Sequence, residues 1–172
     1  RLLLSLSANL KVTDWLTLQA RGNLDYSADK LRQKFYASTA TALCGMNGRY
    51  IEMDYQETQM YGDVMAMVKK QLNDFTLDVA IGGSINDRIT NSTRIDSKNA
   101  SLKYANVFNL TNIVMSSSAS IDQKIDAHYQ LQSVFATAQI GYKEGVFLDL
   151  TARNDWSSTL AYTKYEKKGF FY

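Results

Sequence analysis

The sequence predicts an all-β protein, an antiparallel transmembrane β-barrel segment of about six strands in three hairpins, and three observations lead to it. Apolar and polar side chains alternate with period two along several stretches, connections alternate between very short and long, and aromatic residues gather beside the short ones. Only a strand separates two faces at every second residue. Periodicity by itself also fits a soluble antiparallel sheet whose core is capped by aromatics, so the connections carry much of the argument.

The first segment places Leu2, Leu4, Leu6, Ala8, Leu10 and Val12 on one face and Ser5, Ser7, Asn9 and Lys11 on the other, with Leu3 as the exception. After Thr13–Trp15 the second sets Leu16, Leu18, Ala20, Gly22, Leu24 and Tyr26 against Thr17, Gln19, Arg21, Asn23 and Asp25. The third, "YGDVMAMVKKQL", is ambiguous, because Val64, Met67, Val68 and Leu72 also form a helical stripe. Its exit decides for a strand: Asn73 and Asp74 make a two-residue polar connection of the hairpin kind into a clear fourth strand. There Leu77, Val79, Ile81 and Ile85 oppose Thr76, Asp78, Ser84 and Asn86. In the fifth, Val134, Ala136, Ala138, Ile140 and Tyr142 oppose Ser133, Thr137 and Gln139; in the sixth, Leu148, Leu150 and Ala152 oppose Asp149, Thr151, Arg153 and Asp155.

Short turns fall at Thr13–Trp15, Asn73–Asp74 and Lys143–Gly145, whereas long polar connections run over roughly Ser38–Met60 and Ile95–Lys124, and another begins after Trp156. A soluble sandwich rarely keeps every second connection this long. Outer-membrane barrels do so routinely, with short periplasmic turns and long extracellular loops. Segments of about 9 to 11 alternating residues span a bilayer when tilted. Trp15, Phe75, Tyr142 and Phe147 flank the short turns, where an interfacial girdle belongs.

Composition narrows the function classes. The net charge of +2 comes from 19 basic and 17 acidic residues spread along 172 positions, so the electrostatics of a dedicated nucleic-acid binder are missing. One cysteine, Cys44, cannot form an internal disulfide or a thiolate metal cluster. No apolar run reaches 18 residues, which excludes a transmembrane helix. Proline is absent, and nothing in the pattern explains it. The start in mid-strand without methionine, and the end on "GFFY", lead us to expect part of a longer polypeptide.

The stretch Gln132–Leu160, "QSVFATAQIGYKEGVFLDLTARNDWSSTL", closely resembles the barrel region of the SusC/RagA family of TonB-dependent outer-membrane transporters, in which a strand ending in tyrosine turns into one reading FL-x-L-T-x-R-N-D-W-S-S-T-L. "NVFNLTN" at Asn106–Asn112 resembles the family's P-N-x-F-x-L-x-N loop, and "KVTDWLTLQARGNLDY" at Lys11–Tyr26 a preceding hairpin. The family usually has proline where this chain has Ala105 and Ala161, which bears on local loop shape. The resemblance implies that residues 1–172 are a partial barrel domain of a larger, plugged barrel of roughly 22 strands. Implied with it are outer-membrane location, import of oligosaccharides or peptides energised through TonB by a plug region outside this chain, contact with outer-membrane lipid and a SusD-like surface lipoprotein. No cofactor is implied.

Candidate residues follow. Arg21, Asp25, Asp78, Arg153 and Asp155 share the polar face and suit a wet or plug-filled lumen, where pairing with neighbouring strands or the plug is the expected fate. Asn154, Asp155, Trp156, Ser157, Ser158 and Thr159 form the family motif at the barrel rim, Trp156 as an interfacial anchor or a platform for a sugar ring. In the long connections Asn47, Arg49, Tyr50, Tyr104 and Asn106 combine aromatic faces with amide and guanidinium donors, the chemistry of saccharide or peptide recognition, although contact with the lipoprotein or with solvent also accounts for them.

Catalytic patterns are missing. His128 is the only histidine and has no companion evident in sequence, which rules out an HExxH site, and neither a G-x-S-x-G elbow nor a P-loop occurs. Asp54 and Glu57 read as solvated charges in a polar connection, and Cys44 as a free thiol in an outer loop. The sequons at Asn91, Asn99 and Asn109 are discounted as chance products of asparagine- and serine-rich segments. The alternative to energised transport is a passive porin-like channel or a structural or adhesive barrel.

Overall fold

The computed structural model describes residues 1–98, 102–115, 119–143, 145–161 and 170–171. Six long strands are joined in sequence order: β1 (Leu2–Lys11), β2 (Leu16–Phe35), β3 (Arg49–Leu72), β4 (Phe75–Asp96), β5 (Ser120–Tyr142) and β6 (Val146–Ser157). A two-residue β7 (Phe170–Phe171) pairs with β6. Every strand lies beside its sequence neighbours in one antiparallel sheet, an up-and-down meander. Among the described residues no helix is long and apolar enough to cross a membrane.

The ambiguous Tyr61–Leu72 segment is strand, continuous with β3. Asn73 takes the left-handed conformation (φ 52°) that asparagine tolerates better than most residues, which lets β3 turn at once into β4. The long connections are shorter than the sequence suggests, because β3 begins at Arg49, β4 continues to Asp96 and β5 starts at Ser120. Arg49, Tyr50, Asp54 and Glu57 are therefore strand residues and not loop residues. Asp54 pairs with Lys30 at 3.1 Å, and Glu57 accepts a hydrogen bond from the Tyr55 hydroxyl. Polar composition misled here because cross-strand charge and amide pairs support a strand as well as apolar pairs do.

The chain forms two compact units. The first holds Tyr26–Glu57 and Ile89–Ala127 and has a small apolar core of Tyr50, Leu102 and Ile113, with Ile95, Phe108 and Ala119 against it. Gly48 closes the loop into β3 at φ 102°, where an added Cβ would run into the Phe35 carbonyl oxygen. On β5, Asp126 has φ 49°, the mark of a bulge, and exchanges hydrogen bonds with Asn91. Beyond it Gln123 meets Thr93, an odd-numbered partner for an odd-numbered residue.

The second unit comprises Leu2–Asp25, Thr58–Arg88 and His128–Tyr172 and is inverted relative to a soluble domain. Its buried described residues are Asp63, Ser133 and Gly141, whereas Val64, Ile81, Ile85, Val134, Leu148 and Leu150 are exposed on one face. Here the odd residues of β5 meet the even ones of β4: a Cβ on Gly82 would strike the edge atoms Cζ and Cε2 of the Phe135 ring, and one on Gly141 the Thr76 hydroxyl. Register with β6 runs from Tyr142↔Val146 to Leu131↔Ser157 without interruption, placing Arg153 opposite Phe135 and Asp155 opposite Ser133. Near the short turns the rings of Phe75 and Tyr142 pack 4.9 Å apart, and Lys70 lies over Trp15.

Candidate functional site

In the inverted unit one face of the sheet carries paired charge. Arg21 on β2 reaches Asp63 on β3 through Nε, 3.0 Å from each carboxylate oxygen, and the Asp63 side chain has no exposed surface. Lys69 pairs with Asp78 at 2.9 Å, joining β3 to β4. Arg153 donates to Asp155 at 2.8 Å and to the Ser133 hydroxyl at 3.1 Å, joining β6 to β5. Gln19 donates to Asn9 and Gln59 to Asn86, which extends the polar contacts across further strands. Period two puts these residues together, and each arginine or lysine is spent on a neighbour in the wall. Asp25 also has partners of its own.

The opposite face is apolar. Ala8, Ala20, Ala66 and Gly83 floor a trough of about 710 Å³ walled by Leu10, Leu18, Val64 and Ile81. Trp156 lines a neighbouring depression with Ile85, Val134 and Gln132. Asn154 shares the parity of Trp156 on β6, while Ser157 caps the single turn Ser158–Leu160 by accepting from the Thr159 N–H. His128 does have companions: its Nε2 lies 2.7 Å from Asp87, which also accepts from Gln130.

In the other unit four of the five loop candidates are structural contacts. Asn47 donates to the Leu102 carbonyl at 2.6 Å, and Asn106 accepts from the Ala37 N–H at 2.8 Å, so the two amides stitch the loops together. Tyr50 is buried, with its hydroxyl on Glu52; burial and that carboxylate push its ionisation up. Arg49 grips Asp96 with two bonds of 2.9 and 2.8 Å, donates to the Leu43 carbonyl and lies over the Phe35 ring. Tyr104 alone of the five keeps a widely exposed ring.

Three residues that organise this region escaped the sequence reading. Asn112 is buried and donates to the carbonyls of Tyr104 and Val107 while accepting from the Tyr104 N–H. Asp96 takes Arg49, Arg94 at 3.0 Å and the Lys98 N–H at 2.8 Å. Its burial raises the carboxyl, yet the hydrogen bonds from Arg49 and Lys98, with the two guanidinium charges, hold it below the usual carboxylate range. The Arg49 guanidinium is correspondingly held above its usual range by the bond to Asp96. Arg94 and Asp96 stand two apart in "TRIDS", and that spacing on one strand face was the available signal.

No family profile matches the chain, and neither does any curated protein. Among solved structures, a chain of the RagAB peptide transporter matches with TM-score 0.70 and 20% identity, over 91% of this chain and 17% of that one. The fold is that of a stretch of this transporter. The RagAB peptide importer in its open-open state matches equally, at TM-score 0.70 and 20% identity, and the closed-closed state at 0.68 and 19%, both with the same coverage. The chain thus spans 17% of the length of the structures it matches, and the fold class read from the strand periodicity is the observed one.

Proposed function

We propose that residues 1–172 are part of the barrel wall of an outer-membrane transporter of SusC/RagA type. It imports large nutrients, peptides or oligosaccharides, with energy delivered through TonB and with a SusD-like lipoprotein as partner. The observation that carries this reading is the fit to RagAB over 91% of the chain. The two-faced sheet supports it physically, since the exposed apolar side suits lipid and the paired charges suit a plugged lumen, where a basic group facing lipid at mid-depth costs about 2–4 kcal/mol. Peptide is the class favoured by the name of the matched transporter.

The test is intact mass and peptide mapping of the parent polypeptide purified from outer membranes, followed by uptake of labelled peptide and oligosaccharide pools with and without the proton-motive force. A parent near 1,000 residues, as roughly 22 long-looped strands plus a plug require, and energy-dependent uptake are expected. A parent of a few hundred residues without a plug, or uptake indifferent to energy, would overturn the proposal in favour of a passive channel or a structural barrel.

A further inference from the structure

The ion cluster at the outer end of β4 has more positive charge than its partners neutralise. Asp96 is its one carboxylate, with its side chain 3% exposed, and it receives both Arg49 and Arg94. Arg49 is spent: two bonds go to Asp96, one to the Leu43 carbonyl, and its plane lies over Phe35. Arg94 touches Asp96 through Nη2 only, its side chain is 48% exposed, and among the described residues it has no other partner. Lys98 caps Asp96 through its backbone N–H. By alternation along β4, Arg94 and Asp96 have the parity of Asp78 and Ser84 and not that of Ile81 and Ile85.

A guanidinium anchored at one corner by a buried carboxylate keeps its orientation while its remaining N–H groups stay available in a fixed fork, and such a fork matches a second carboxylate in two parallel bonds. We propose that Arg94, positioned by Asp96, binds the carboxylate of a peptide ligand, its C-terminal group or an acidic side chain. This rests on the peptide reading above and narrows it to peptides with an available carboxylate. Arg49, singled out from sequence as a ligand residue, becomes the group that holds Asp96 in place.

The experiment is calorimetric titration of the whole transporter with two forms of one short peptide lacking acidic side chains, a free C-terminal carboxylate and a C-terminal amide, repeated on Arg94→Gln and Arg94→Lys. In the native protein the carboxylate form should bind about tenfold to a hundredfold more tightly, in line with a charge-assisted pair. Arg94→Gln should remove that preference and leave the amide unchanged, and Arg94→Lys should restore part of it. Equal binding of both forms in the native protein, or a preference that survives Arg94→Gln, overturns the site while leaving peptide import standing. Binding of neither form overturns the peptide-carboxylate site and the peptide reading together, and a uronic-acid oligosaccharide bound instead in an Arg94-dependent way would show that the carboxylate comes from a glycan.

Discussion

Replacing Ile81 by arginine tests the assignment of the two faces most directly. Ile81 is 56% exposed on the apolar side of β4, six residues beyond Phe75 at the hairpin. At roughly 3.3 Å per residue this is about 20 Å along the strand, and a tilt of about 40° brings it to about 15 Å of depth, the middle of a hydrocarbon layer about 30 Å thick. An arginine there should cost about 2–4 kcal/mol, a loss of about 30- to 700-fold in the folded-to-unfolded ratio at 1.4 kcal/mol per decade. Ala80, its neighbour on the other face, provides the control, since arginine at that site points away from lipid. The assay is urea unfolding of the parent polypeptide in lipid vesicles, followed by the loss of heat-resistant mobility in detergent gels. Ile81→Arg should lower the midpoint sharply and Ala80→Arg by much less. Equal losses, or a neutral Ile81→Arg, would refute the claim that the exposed apolar face meets lipid.

Three other outcomes are expected. Gly82→Ala would bring a Cβ to 2.7 Å from Phe135 Cζ and 2.8 Å from the Val64 carbonyl oxygen, so it should destabilise by about 1–3 kcal/mol; Phe135→Leu in the same chain should recover part of the loss in the urea assay. Asn112→Ala removes three hydrogen bonds from a buried amide and should cost about 3 kcal/mol locally, read as faster cleavage of the 102–115 loop by added protease with the urea midpoint of the barrel unchanged. Because the folded Asp96 carboxyl titrates below its ordinary value, its stabilising effect is complete above about pH 4 and disappears as pH falls through the lower folded value; protease resistance of this loop should drop over that acid range in the native protein, and Asp96→Asn should be weakened already at pH 7 with a flatter profile.

The sheet was legible because a two-faced strand writes itself into sequence: one apolar residue at every second position from Leu16 to Tyr26, or from Leu148 to Ala152, specifies strand and face together. The hairpin at Asn73 resolved the one segment whose spacing fitted a helix as well. The outer half of β3 was hidden because its supports are polar pairs to β2, Lys30 with Asp54 and Arg32 with Glu52, which in composition look like loop. Partners such as Asp87 for His128 lie far away in the chain, and only register brings them together. The loop core was equally unreadable, since Asn112 looks like any loop asparagine until its amide is seen to satisfy three backbone groups.

The distribution of paired and unpaired charge separates wall from ligand chemistry. Arg21, Lys69 and Arg153 each meet a carboxylate within the sheet itself, Asp63, Asp78 and Asp155 respectively. The cluster around Asp96 differs, with two guanidinium groups on one carboxylate. On the proposal above, an anionic group gains more from Arg94 than from Arg21, Lys69 or Arg153, each of which already has a carboxylate to itself. Neutralising Arg94 should consequently change which ligands bind, while breaking Arg21 from Asp63 should change how stable the wall is and leave ligand preference alone.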